Sequence, residues 1–488
     1  MSPSLIVSIL VLYFSALLFI AYLTSKKSDS NDFFTANRQS SWYLVAFGMI
    51  GTSLSGVTFI SVPGAVGAVN KATGQFNQFG YFQLVLGYLV GYFFIATVLM
   101  PIYYRMNLVS IYSYLEERLG FWSYKTGAAF FILSRTIGAS FRLYLAAEVL
   151  QIGILNAWGV PFYVTVMITI VLIWIYTYKG GIKTIIWTDS FQTIFLISAL
   201  IISVVLILGE LNIPIWEMPK AVADSPFSQI FFWDAKADNF FVKQFISGAF
   251  IAIVMTGLDQ DLMQKNLTCK HIGDAQKNMF WFCTILVFVN LLFLSLGALL
   301  YMYAGAKGIA LPAKPDELYP LLALNHFGTF AGVFFLLGIT ASSYASADSA
   351  LASLTTSFCF DFLNFKNIEE EKRKIYLKNI VHVGFSVLLL LVIVLFKVLN
   401  DDSVVNSVFK AAGYTYGPLL GLFFFGLFTT RSTNDKYVPY ICVLSPIVCY
   451  VINLYSVELL NGYKFGFEIL LLNGALTFGG LALFSKKK

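Results

Sequence analysis

Charge is what this sequence has least of. Asp, Glu, Lys and Arg make up 12% of its 488 residues, against about 25% in a water-soluble domain. Hydrophobic residues supply 58%. That balance excludes a soluble fold and reads as a polytopic membrane protein. Histidine is scarce too: His271, His326 and His382 are scattered near the ends of hydrophobic segments. With no partnered nucleophile and no metal-ligand spacing, an enzyme is not expected. The five cysteines, Cys269, Cys283, Cys359, Cys442 and Cys449, show neither metal spacing nor a paired framework. They read as small apolar fillers in or near spans.

Features of two other membrane classes are also missing. A channel needs a polar pore-lining ring repeated by symmetry, and a sensor normally appends a soluble signalling domain. No such repeat is visible, and the chain runs out at "FSKKK". The first segment, 4–23, lacks a basic n-region and a small-residue cleavage site, and Lys26 and Lys27 follow it. It is expected to be a retained span, since about 20 residues cross a ~30 Å core.

Spanning-length segments recur at 4–23, 43–69, 78–100, 126–152, 161–178, 185–208, 240–262, 279–303, 328–357, 379–398, 406–428, 437–455 and 467–484. Thirteen spans are therefore expected. The connections starting with 24–42 hold twenty-one basic residues, including Lys26, Lys27, Lys179, Lys265, Lys378 and Lys486–Lys488. The alternate set, Lys71, Lys220, Lys236, Lys243, Lys307, Lys314, Lys397 and Lys464, holds eight. Positive charge favours the cytoplasmic side, so a plasma-membrane protein with an external N-terminus and a cytoplasmic C-terminus is expected. The net charge of +6 is then mostly topology, and no nucleic-acid partner is expected. Three basic residues, Arg135, Arg142 and Lys410, fall inside spans. The exterior loop 209–239, with "IPIWEMPKAVADSPF", suggests a short structured lid, and "NFKNIEEEKRKIYLK" (364–378) a charged solvated connector.

Three stretches break the apolar pattern. The second span, "AFGMIGTSLSGVTFISVPGAVGAV", is too rich in Gly and Ser, with Pro63, to be a good continuous helix. Unwound backbone at membrane depth lines a cavity or is buried in protein, and in transporters its freed carbonyls coordinate cations. A Gly/Ser face for close helix packing fits this stretch equally well. In "SSYASADSAL" (342–351), Ser342, Ala345, Ser346 and Ser349 share one helical stripe, with Asp348 at its edge. Such oxygens suit a small monovalent cation rather than a transition metal. A carboxylate here costs about 2.5–3.5 kcal/mol unless something compensates it; a neutralised, hydrogen-bonded Asp is the alternative. The third stretch, "GGIKTIIWTDSFQ" (180–192), brings Asp189 into an apolar span, where capping or snorkelling would also account for it.

These pieces resemble the sodium/solute symporter family. "DFFTANR", "LSGVTFISVPG", "YSYLEERLG", "GGIKTIIWTDSFQ", "SADSALASLTTSFCFDFL" and "GPLLGLFFFGLF" occur in the family's order over nearly the whole chain. The resemblance implies an all-α transporter domain over 1–488 with a leucine-transporter-type core of two inverted five-helix repeats. These are 43–208 and 240–428, preceded by helix 4–23 and followed by two helices in 437–484. It implies sodium held by the backbone carbonyls of Gly51, Leu54 and Ser342 and the hydroxyl of Ser346, with Ala345 where relatives often have a further hydroxyl. It implies a second sodium, or a shared proton, at Asp189, Asp348 and Ser349.

For the solute, the resemblance implies Ser55, Thr58 and Gln83. It puts the carboxylate-binding arginine of sialic acid carriers at Gly138, one turn from Arg135. Arg135 is the expected partner of an acidic group, although a structural Arg–Glu148 or Arg–Asp pair fits either Arg135 or Arg142 equally. The expected function is Na⁺-coupled symport of a small organic solute, first an acidic sugar such as sialic acid, then a neutral hexose, and less so an amino acid. Expected partners are that solute, Na⁺ and the lipid bilayer, with no obligate protein partner.

Overall fold

The computed structural model describes residues 3–25, 30–69, 74–153, 155–235, 237, 239–399, 403–463 and 465–486. Lys26, Lys27, Lys71, Lys236, Lys464, Lys487 and Lys488, used above for orientation, lie outside the described residues, as does the side chain of Lys179.

Every expected segment coincides with a helix or a bent helix pair. In chain order these are α1 (Pro3–Ser25), α2 (Trp42–Ser53), α3 (Val57–Ala65), α4 (Tyr81–Arg105), α5 (Phe121–Gly153), α6 (Phe162–Thr177) and α7 (Gly181–Glu210). There follow α8 (Phe241–Gly257), α9 (Gln260–Asn266), α10 (Ile272–Ala306), α11 (Gly328–Phe362), α12 (Glu371–Leu399), α13 (Val404–Thr415), α14 (Gly417–Phe428), α15 (Asp435–Leu454) and α16 (Ile469–Leu483). Among the described residues seven helices are long and apolar enough to cross a membrane, or ten when three bent pairs count as single spans. The long helix α5 is more polar, and α6 and α16 are shorter.

The bent pairs are α2/α3 at 61°, α8/α9 at 69° and α13/α14 at 47°. Each break has a local cause. Between α2 and α3 the chain leaves helical geometry at Leu54, with φ −82° and ψ 63°. A side chain on Gly56 would come within 2.4 Å of Ser343 Oγ, so glycine lets the break touch α11. Between α8 and α9, Asp259 is extended and its carboxylate accepts from the backbone N–H of Asp261 at 2.8 Å, a helix N-cap. The carbonyls freed there are met by hydroxyls: Tyr103 donates to Gly257 at 3.0 Å and Tyr112 to Leu258 at 2.9 Å. At the third bend Pro418 has no N–H to donate. Helices α6 and α7 are separated at Gly181, whose φ of 51° and ψ of −144° suit glycine alone.

The serine-rich α11 forms the centre and is buried along most of its length, against α5, α6 and α7. The outer faces carry large apolar side chains such as Leu12, Phe93, Phe288 and Leu391 in exposed positions, as a lipid-facing surface requires. The loop after α7 holds a turn, Ile215–Glu217, and a short helix, Met218–Ala223. The expected solvated connector 364–378 is shorter than its charge suggested: α12 begins at Glu371, so Lys372–Lys378 ride on a helix.

Candidate functional site

Two neighbouring centres form around the α2/α3 break. The first is a small cavity of about 90 Å³. Ser53, Leu54, Ser55, Val57 and Thr58 line it from the break, Tyr81, Tyr88 and Tyr92 from α4, Arg142 from α5, Thr256 from α8 and Asn290 from α10. Tyr81 also lines a wide vestibule of about 1450 Å³. The vestibule and the cavity therefore share Tyr81 as a wall. Ser55 and Thr58 stand in the cavity as expected. Arg142 contributes its only cation, with no hydrogen bond or ion pair to a described residue.

Two of the residues expected to meet the solute are elsewhere. Arg135 does not line the cavity: its guanidinium is ion-paired with Asp261, both fully buried. The structural pair is the alternative that geometry supports, and its partner is on α9. Gln83 is buried with its amide spent on the loop between α7 and α8. Its Nε2 donates to Asn239 O at 2.9 Å and its Oε1 accepts from Phe232 N at 3.2 Å. Gln83 ties that loop to α4.

The second centre is where α2, α7, α9 and α11 meet. The hydroxyl of Ser346 donates to Thr52 O at 2.8 Å, and Ser342 bonds back to Ile339 O at 3.0 Å. Leu54 lies in the unwound stretch. Gly51 packs its α-carbon toward Thr193 of α7. The hydroxyls of Ser53, Thr340 and Ser343 are buried without a hydrogen-bond partner, which costs about 1–3 kcal/mol each if nothing fills the gap.

The expected second-ion residues each have another neighbour. Asp189 Oδ2 is 2.5 Å from Lys265 Nζ and accepts from Thr52 Oγ1 at 2.9 Å. Asp348 Oδ2 accepts from Tyr176 at 2.9 Å. Ser349 gives its hydroxyl to Asp261. Asp189 and Asp348 each keep one carboxylate oxygen, Oδ1, buried and unpartnered. These three residues are not gathered into one open cage.

What the sequence hid is α9, "QDLMQKN", seven residues that are all buried. Lys265, counted above among cytoplasmic loop charges, is in fact 0% exposed. Gln260 bonds Ile111 N at 2.9 Å and Val109 O at 2.7 Å, Gln264 bonds Phe34 O at 2.7 Å, and Asn266 accepts from Asn278 at 2.6 Å. Asp259 accepts from Tyr416 at the α13/α14 bend. The available signal was two carboxylates and a lysine crowded next to the Gly257 break.

Comparison with known proteins bears on this arrangement. The model of the sodium:solute symporter family matches residues 33–436. The sodium/sialic acid symporter NanT of Aliivibrio fischeri is 25% identical over 436 residues, 85% of this chain and 81% of its own. The sodium/sialic acid symporter SiaT of Proteus mirabilis is 23% identical over 451 residues, 88% and 86% of the two chains. A substrate-bound, outward-open structure of a Na⁺-coupled sialic acid symporter superposes with a TM-score of 0.82 at 18% identity, covering 99% of both chains. The fold is thus the leucine-transporter-type architecture expected from the sequence.

Proposed function

This chain belongs to the sodium:solute symporter family, and we propose that its solute is an acidic sugar such as sialic acid, taken into the cell together with Na⁺. The observation that carries the solute class is Arg142. It is the cavity's cation, and among the described residues no carboxylate forms an ion pair or hydrogen bond with it. A guanidinium in a low-dielectric site is best matched by a bidentate carboxylate. Ser55 and Thr58 offer hydroxyls beside it, and Tyr81, Tyr88 and Tyr92 offer flat apolar faces with polar tips for a sugar ring. The two sialic acid symporters among the relatives point the same way. Arg142 takes over the role expected for Arg135.

Sodium is held by the carbonyls of Gly51, Leu54 and Ser342 and the hydroxyl of Ser346. Ser53 and Ser343, whose hydroxyls lack partners, supply further oxygen where Ala345 supplies none. The ion ties the break in α2/α3 to α11 and so favours the arrangement in which the cavity faces the vestibule. An ion shifts such an equilibrium only by its differential affinity for the two states, and a bridge between two elements that separate during alternating access provides it. Each elementary charge moved across 100 mV adds about 2.3 kcal/mol to the driving force. The N-terminus is outside and the C-terminus cytoplasmic, following the charge asymmetry of the loops.

Thermal unfolding of the purified protein, with and without NaCl, tests the solute class against sialic acid, glucose and proline. Sialic acid is expected to raise the midpoint in NaCl and not in choline chloride. A shift with glucose alone would assign the cavity to a neutral hexose.

A further inference from the structure

Lys265 is a buried cation at the place where the resemblance implies a second transported sodium. Its ammonium lies 2.5 Å from Asp189 Oδ2 and donates as well to Thr52 Oγ1. Asp189 was, with Asp348, an expected anionic ligand of a second sodium. Ser349, expected beside it, is turned to Asp261. An additional ion does not fit at Asp189 Oδ2, because an ammonium carried by the chain is already there.

We propose that Lys265 is a tethered counter-ion that takes the place of one transported sodium and thereby lowers by one the number of sodium ions moved with each solute. The proposal rests on the symport reading above. A sodium ion released to the cytoplasm carries charge across the membrane once per cycle. The Lys265 ammonium satisfies the same carboxylate but returns with the empty carrier, so it adds no net charge. Its surroundings suit that role. Lys265 comes from α9, Asp189 from α7 and Thr52 from the last turn of α2, so one ammonium links three elements. Thr52 also accepts from Ser346 through its carbonyl, which sets the pair directly beside the proposed sodium site. The other charged group nearby is Asp348 on α11, held by Tyr176 through Oδ2 and unpartnered at Oδ1. One ammonium therefore stands against two carboxylates. The position at Asp189 Oδ2 is filled by the ammonium, while Oδ1 of Asp189 and Oδ1 of Asp348 have no hydrogen-bond partner among the described residues.

The test counts sodium ions in the full-length protein. Radiolabelled sodium binding in detergent and the charge-to-solute ratio, read from reversal potentials in proteoliposomes with sialic acid, are measured for wild type, Lys265→Met and Lys265→Met/Asp189→Asn. Lys265→Met is expected to bind one more sodium, to move one more charge per solute and to show a steeper sodium dependence. The double variant is expected to return to the wild-type count. An active Lys265→Met with an unchanged ratio overturns the proposal. If Lys265→Met fails to fold, the double variant decides: fewer sodium ions than wild type would mean that Asp189 holds a sodium in the native protein, and an equal number that it does not. Loss of all sodium-driven uptake in the wild type would instead refute the symport reading, a separate outcome.

Discussion

The hydroxyl of Ser346 donates to the carbonyl of Thr52 across 2.8 Å, joining the serine-rich α11 to the last helical turn before the break in α2/α3. Both ends of this contact are buried. It fixes the spacing of the oxygens assigned to sodium, and it makes Ser346 the hydroxyl whose loss should be felt first.

Ser346→Ala removes that hydroxyl and one proposed ligand together. A net hydrogen bond contributes about 0.5–1.5 kcal/mol, so the half-saturating sodium concentration should rise roughly 2- to 10-fold. Ser342→Ala should change it far less, because the Ser342 hydroxyl is spent on Ile339 O and its carbonyl is the assigned ligand. Sodium titrations of uptake compare the two; equal effects would remove Ser346 from the site.

The two arginines of α5 should separate cleanly. Arg142→Gln is expected to abolish binding of an acidic solute while keeping the sodium-dependent rise in unfolding temperature. Arg135→Gln leaves Asp261 buried without its partner, and breaking a buried ion pair costs about 3–5 kcal/mol. Its signature is a fall in unfolding temperature with or without solute. An Arg142→Gln protein that still binds sialic acid would return the cavity to neutral sugars.

Much of this site was legible in the sequence. The glycines and serines of 48–64 announced the break, and the hydroxyl stripe around Ser346 announced its partner. The two arginines, seven residues apart, read as one helical face, but periodicity gives direction and not depth. Which one reaches the cavity depends on Asp261, a residue on another span. Lys265 was misplaced for a related reason. A short polar run resembles a loop unless each polar group has a partner, and the partners of α9 come from Val109, Phe34, Asn278 and Tyr416. No local pattern reveals those. Gln83 was implied as a solute ligand by the resemblance alone, and its amide partners, the backbone at Phe232 and Asn239, belong to a loop distant in sequence.

A side chain at Gly56 should be costly. A methyl group there would lie 2.4 Å from Ser343 Oγ and 3.1 Å from Ile339 Cδ1. Overpacking of this kind costs about 1–3 kcal/mol and would push the break away from α11. Gly56→Ala is expected to lower both stability and sodium affinity, and Gly56→Ala/Ser343→Ala to recover part of each. Thermal unfolding with sodium titration checks the pair, and strictly additive losses would rule out this contact as the cause.

Sodium-driven accumulation is the most direct test of the account. Purified protein in proteoliposomes is given an inward gradient of NaCl or of choline chloride, and entry of radiolabelled sialic acid is followed against that of glucose. The account predicts transient accumulation of sialic acid above its external concentration with sodium, collapse of that accumulation as the gradient dissipates, and neither with choline. Equal sialic acid entry under the two salts would contradict it.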